Sequence, residues 1–501
     1  MRSIVKCGAA VAVVLCLGIV ASMSAEPAGP AERRAAAEAA YKKGNFRDAL
    51  HVYRELAVDA KNDPLAVGGD LRRAVECLQR LGRTPEIDAL REQAVTAQPK
   101  NFRLLRAAAD TLFQGPQYGY MVAGKFERGS HRGGGEMVNS AERDRVRALQ
   151  LMVQGFSSAQ ADANKADVAD HYFAFAGMLL ANRGYYDAWR LQYLSDLSQL
   201  PDYEQGWNTY REYNGAPVDA EGKPVYHHTV KTFDAAKTDG ERWRWALDQV
   251  VENHPARRQE VRLHFANFHR DQFDVQTIGW YARYFGSLDE DGGGEKKDGE
   301  KKDESGTYAL HTLGEDETIA RLATGVKRFK LPDEFNFIKI YREIAGAGKS
   351  DHAKAALQEL AASFENRRQY PTAADVWRRA IAEYGPGQEN HRQHRLDQIV
   401  KNWGRLEGSP TQPAGKGATI EFRYRNAKKV SFEAHEIKID QLLADAKAYI
   451  SARPARLDWY QMDLQNVGYR LVHQNQQKYL GKSVAKWDLD LTTRPPHWPV
   501  F

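Results

Sequence analysis

The sequence predicts a mainly α-helical protein. Residues 26–405 read as an array of helical hairpins, and residues 418–501 as a small, incomplete β-sandwich. Three observations carry this. Helix-forming runs recur with Gly-marked turns, beginning with Ala31–Ala40 and Gly44. A Gly/Pro-rich stretch, Gly408–Gly417, then interrupts the chain, and 406–417 reads as a linker. Beyond it, apolar and polar residues alternate with period two, as half-buried strands require.

The first helix, 31–40, is built almost wholly of Ala, Glu and Arg. Gly44 then marks a tight turn, with Phe46 two residues on, Ala49 five on and Tyr53 nine on. Gly lets the chain turn sharply, Ala lets two helices approach, and the aromatics fill the gaps between them. This spacing resembles a tetratricopeptide repeat. A looser copy places Gly82 at the turn, Ile87 and Ala94 at small positions and Pro99 at the close. A third has Tyr370, Ala373, Trp377 and Ala380, closed by Gly385 and Pro386, with Arg368 where the turn glycine belongs. A generic stack of helix pairs without true repeats would give the same pattern. Segments 141–158, 163–182, 186–200, 240–254, 333–345 and 351–365 also read as amphipathic helices.

Two segments break the helical pattern. Gly115–Gly135 is Gly-rich, and the alternation of Tyr118, Tyr120 and Val122, then Phe126 and Arg128, predicts a small β-hairpin. Loops this long inside a domain are commonly functional. Tyr118, Tyr120, Arg128, His131 and Arg132 are therefore the candidate partner-binding residues, unless the segment is a clasp over the helical array. Leu288–Gly306 is charged and of low complexity, so it reads as a solvated loop. Its Asp289, Asp291, Gly294 and Glu300 echo a calcium loop, but Gly293 replaces an acid, and Lys296 and Lys297 oppose a cation.

After the linker, Ile420, Phe422 and Tyr424 share one strand face, and Val430, Phe432 and Ala434 another, with a turn at Asn426–Lys429 between them. A helix is expected at 440–450, and strands at 466–473 and 484–490. The run from Ile420 to Leu443, with Arg425-Asn426, Val430 and Asp440, resembles the first macroglobulin-type sandwich of bacterial alpha-2-macroglobulin-like proteins. His435 stands where that family more usually has an aromatic. The order of signal, helical repeats and sandwich also resembles large members of the family. Such a sandwich has about seven strands, so the chain is expected to be the front part of a longer protein. The resemblance implies protease inhibition by entrapment, but the bait and thioester segments have no counterpart here. No inhibitory residue carries over.

Residues 1–25 read as a secretory signal: Arg2 and Lys6 precede the apolar run Cys7–Ala21 and the small residues Ser22–Ala25. The expectation is an exported, periplasmic or envelope protein without a membrane span after cleavage, or anchored if the signal stays. Cleavage would remove Cys7 and Cys16 and leave Cys77 as the one thiol of the three, which excludes a disulfide scaffold. Cys77 lies in a helical run and reads as a buried apolar residue. With 71 Lys+Arg against 66 Asp+Glu, a net charge of +5 argues against a dedicated nucleic-acid binder.

Enzymatic motifs fail on inspection. Ala345–Ser350 ends like a phosphate loop, but Glu343 stands where its first Gly is needed, and Ser350 reads better as a helix cap. The pairs His227/His228, His264/His269 and His391/His394 lack the further ligands of a metal site. The expectation is a non-catalytic protein with no cofactor or metal. Its partners would be proteins or peptides, proteases among them. It would belong to alpha-2-macroglobulin-like inhibitor machinery or act alone as a tetratricopeptide-like scaffold.

Overall fold

The computed structural model describes residues 29–184, 187–206, 214–279, 309–407, 412–413, 415–417, 419–459, 467–472 and 474–492. The segments read as the signal (1–25) and as the charged loop (288–306) lie outside these residues. The described chain is mainly helical, as expected, and its strands form small antiparallel sheets of two to four strands. It divides into two compact units, Met1–Glu212 with His227–Arg258, and Tyr213–Tyr226 with Gln259–Phe501.

The first unit opens with α1 (Pro30–Lys42), α2 (Phe46–Val58), α3 (Val67–Arg80), α4 (Ile87–Ala97) and α5 (Phe102–Gln114). The turn glycines do what their spacing predicts. Gly44 (φ +81°) and Gly82 (φ +68°) take the left-handed conformation. The next amide reaches back five residues, Asn45 N to Ala40 O at 2.9 Å and Arg83 N to Leu78 O at 2.8 Å, closing each helix. Ala49, Tyr53, Ile87 and Ala94 are all buried. Helix α2 packs on α1 and α3, α4 beneath α2, and α3 alongside α5. Gly68 makes that last approach close, since a Cβ there would meet the Ala107 Cβ at 3.0 Å.

Strands β1 (Tyr118–Val122), β2 (Lys125–Arg128) and β3 (Glu136–Asn139) follow, joined later by β4 (Glu204–Gln205) in the order β2-β1-β3-β4. The predicted hairpin forms through a two-residue turn, Ala123 (φ 48°) and Gly124 (φ 78°), whose twist matches the strands. Next come α6 (Ala141–Gln154), α7 (Phe156–Gln160), α8 (Lys165–Leu180) and α9 (Asp239–Asn253). Helix α6 packs on α5, and α8 on α6 and α9. The helix expected at 186–200 is a correction, because only a 3-10 turn forms at Ala188–Gln192. There the Asp and Ser side chains bond locally instead, with the Asp196 carboxylate accepting from Ser198 N at 2.8 Å.

The second unit contains α10 (Arg258–Phe273), the hairpin β5 (Glu317–Leu322) and β6 (Gly325–Lys330), α11 (Phe337–Gly346), α12 (Asp351–Asn366), α13 (Tyr370–Tyr384) and α14 (His391–Val400). Helices α11 to α14 pack in succession. Ser350 caps α12, its Oγ accepting from Ala353 N at 3.0 Å. Arg368, where the turn glycine was missing, is itself left-handed (φ 55°), and Gln369 N reaches Phe364 O at 2.9 Å as in the other two turns.

Four strands and two helices close the described chain. They are β7 (Trp403–Leu406), β8 (Phe422–Arg425), β9 (Lys429–Ile437), α15 (Ile439–Ser451), α16 (Val467–Val472) and β10 (Leu480–Asp490). The expected strand at 466–473 is therefore corrected to a helix. Its short apolar alternation fits either period, and Leu471 packs with Leu442 and Tyr479. β7 pairs with β8 and β9 with β10, each antiparallel. The expected order strand, turn, strand over 419–434 holds, with Asn426 left-handed at the turn (φ 60°).

Candidate functional site

One face of the first unit is built from α1, α3 and α5. Helical spacing puts Gly69, Arg72, Arg73, Glu76 and Gln79 on one stripe of α3. With Gln114 they line a cleft of about 520 Å3. Cross-helix polar contacts hold its walls. Arg73 donates to Glu38 of α1 at 3.2 Å and to Glu76 at 2.9 Å, and its guanidinium lies 4.5 Å from the Tyr41 ring centroid. Arg72 pairs with Asp110 of α5 at 2.6 Å, and Gln79 Nε2 donates to Gln114 O at 3.1 Å.

Beneath this face, Arg34 of α1 grips the buried Asp70 of α3 through two nitrogens, at 2.7 and 2.9 Å. A hydrogen bond from Tyr41, helped by Arg73, holds the Glu76 carboxyl below its usual range. The cleft walls are thus charged but mutually neutralised. Cys77, the neighbour of Glu76 in sequence, is fully buried, and burial pushes its thiol up to about 11. It behaves as the apolar packing residue the sequence predicts.

The sequence-predicted partner residues lie beside this face and do not form one patch. Tyr118 and Tyr120 are half-buried on β1. Tyr120 meets His131 ring to ring at 5.9 Å, and His131 Nδ1 lies 2.9 Å from Glu127. Arg132 is exposed. Arg128 is a correction, because it is 4% exposed and committed internally. It donates to both oxygens of Asp144 on α6, at 2.7 and 2.8 Å, and to Asp88 on α4 at 3.0 Å. Burial opposes its charge, but these two carboxylates raise its pKa above the ordinary arginine value.

Arg128 is therefore the bolt that seats the sheet. Thr84 Oγ1 adds a bond to Arg128 O at 2.9 Å, and Gly129 (φ 87°) allows it, since a Cβ would fall 2.6 Å from that hydroxyl. These contacts dock the sheet on the turn before α4 and on the start of α6, at the loop edge of the helices. They do not support a clasp lying over the α1–α3–α5 face.

A second polar cluster is structural. Asp239 at the start of α9 is 1% exposed, and Arg145 of α6 is fully buried. Arg145 donates to Asp239 at 2.8 Å, to Ser195 Oγ at 2.8 Å and to Leu179 O at 3.0 Å. Burial alone would raise the Asp239 carboxyl, but Arg145 and Ser195 hold it below its usual range. Ser195 in turn donates to Asp239 from its hydroxyl at 2.5 Å and from its backbone N–H at 3.0 Å. Among the described residues, no group of three or more His, Cys, Asp or Glu is placed to hold a metal ion. Within the same set, no helix is long and apolar enough to cross a membrane.

Compared with known proteins, the chain matches no family model and no curated protein.

Proposed function

We propose that this chain is a non-catalytic, exported scaffold of tetratricopeptide-like helical hairpins that binds an extended polypeptide segment along the α1–α3–α5 face. The cleft lined by Gly69, Arg72, Arg73, Glu76, Gln79 and Gln114 is the observation that carries this reading. In such arrays the first helices of successive hairpins share one face, and that face takes the ligand. In this reading α1, α3 and α5 would be those first helices, and the turns after α1 and α3 share one closing geometry.

Gly69 supplies the test. It is exposed, and a Cβ there meets nothing within 4 Å, so a large side chain fits without disturbing the helix. Peptides selected on the wild-type chain from a display library should bind Gly69→Trp at least about tenfold more weakly, or ~1.4 kcal/mol. Peptides that bind both proteins equally, with unchanged circular dichroism, would sink the reading.

The C-terminal strands favour a second reading, in which the chain belongs to alpha-2-macroglobulin-like protease-inhibitor machinery. β8, the Asn426 turn and β9 follow the order that the resemblance implies. Entrapment slows cleavage of large protein substrates and spares small peptide substrates. A broad-specificity protease that cleaves both at unchanged rates in the presence of the product of the chain's own locus refutes it.

A further inference from the structure

We propose that β10 is a self-pairing edge, and that two copies of this chain associate by laying their β10 strands antiparallel. The strand pairs with β9 along one side, and among the described residues no strand lies along the other. Every residue from Lys482 to Asp490 is exposed, whereas β9 alternates between exposed and half-buried. A long exposed edge is a template for another strand.

The sequence of β10 selects a second copy as that strand. Its basic residues, Lys482 and Lys486, come first, and its acidic residues, Asp488 and Asp490, come last. Antiparallel pairing about a two-fold axis turns the basic half of one copy onto the acidic half of the other. An axis through Trp487 sets Lys486 opposite Asp488 of the second copy, and the same pair recurs by symmetry. Ala485 then faces Leu489 of the second copy.

The apolar side agrees. Ala485, Trp487 and Leu489 stand across from Ala434, Phe432 and Val430 of β9, so one face of the ribbon is apolar. Trp487 and Leu489 remain 45% and 48% exposed. Self-pairing joins two such faces into one four-stranded sheet, with each Trp487 beside its mate. The register shift between Ser483 and Ala485 leaves Val484 as a bulge that bounds the pairing segment. Lys486 already meets Glu433 at 2.8 Å, and Asp488 meets Lys429 at 2.7 Å. An ammonium has three donors and a carboxylate several lone pairs, so each can serve both neighbours. The pairing is independent of the function proposed for the first unit.

Sedimentation velocity of the full chain over a concentration series tests it. The wild type should dimerise reversibly. Lys486→Asp alone, and Asp488→Lys alone, each set like charges across the axis, and each should weaken dimerisation at least about tenfold. An equimolar mixture of the two variants sets opposite charges at both positions, and the dimer should return. Local misfolding of either variant cannot produce that recovery. A wild type that stays monomeric throughout, as it would if β10 takes a strand of a different protein, overturns the pairing. So does a single variant that dimerises like the wild type, or a mixture that does not recover.

Discussion

Adjacent glycines in α3 should respond oppositely to the same substitution. Both sit in the first turn of the helix, where Ala is favoured over Gly by at most the roughly 0.5–1 kcal/mol of a helix interior. Gly69 faces the cleft, and a Cβ there meets nothing within 4 Å. Gly69→Ala should therefore keep the whole of that gain and raise the melting temperature by up to about 4 °C for a unit of this size. Gly68 faces α5, where a Cβ would lie 3.0 Å from the Ala107 Cβ and 3.2 Å from Arg103 O. Relief requires α3 and α5 to part by a few tenths of an ångström, and overpacking of this kind costs about 1–3 kcal/mol. The propensity gain offsets part of that, so Gly68→Ala should be neutral to about 2 kcal/mol destabilising. Thermal unfolding of both variants, followed by circular dichroism, gives the comparison. If Gly68→Ala proves as stable as Gly69→Ala, the close approach of α3 and α5 is refuted, and the cleft between them loses its geometry.

Three further outcomes follow from the first unit. Gly44→Ala meets no steric obstacle but must keep φ at +81°, so it should cost about 1 kcal/mol in urea unfolding; no change would deny the left-handed turn. Arg145→Met leaves Asp239 buried with only Arg242 and Ser195, and should cost about 3 kcal/mol or more; a cost under ~1 kcal/mol would show the pair to be dispensable. His171 and His227 are buried, and burial lowers the pKa of each to about 4, with Arg244 and His228 also acting on His227. The unfolded chain takes up these protons near pH 6.5. Stability should be full above that pH and fall by up to roughly 3 kcal/mol per histidine as the pH drops to about 4. His171→Phe should flatten that slope, and an unchanged slope would refute its part.

Helix positions were legible because they rest on local chemistry. The turns at Gly44 and Gly82 need a residue that accepts positive φ, and a buried apolar residue, Ala49 or Ile87, stands five positions after each. What failed was decided elsewhere. The β5–β6 hairpin turns through Ala323 and Thr324, which carry no turn signal, and β5 is held by a distant bridge from Ala216 to Leu322. Gly215 (φ 80°) permits that bridge, because a Cβ would fall 2.5 Å from the Leu322 backbone. Its place on a Gly-rich loop makes Arg128 a candidate partner-binding residue in the sequence. Its acidic partners are 40 and 16 residues away, so spacing could not reveal the anchor. The cleft was invisible for the same reason, since its walls come from helices that meet only after folding.

On the proposed function, the charge state of that cleft narrows what it would recognise. Arg72 and Arg73 would alone favour an acidic ligand, but Asp110, Glu38 and Glu76 already engage them. These pairs are partly exposed, so each contributes little and is screened by salt. Exchanging them for a ligand carboxylate would gain little, because one solvated pair replaces another. A neutral backbone gains more, since Gln79 and Gln114 offer amides that can both donate and accept. The bare surface of Gly69 lets a chain approach α3 closely. On the proposed function, the face would take the main chain of an extended segment, with side-chain selectivity set by the cleft's shape. Binding there should change little with ionic strength, in contrast to the Lys486–Asp488 pairing proposed for β10, which salt should weaken.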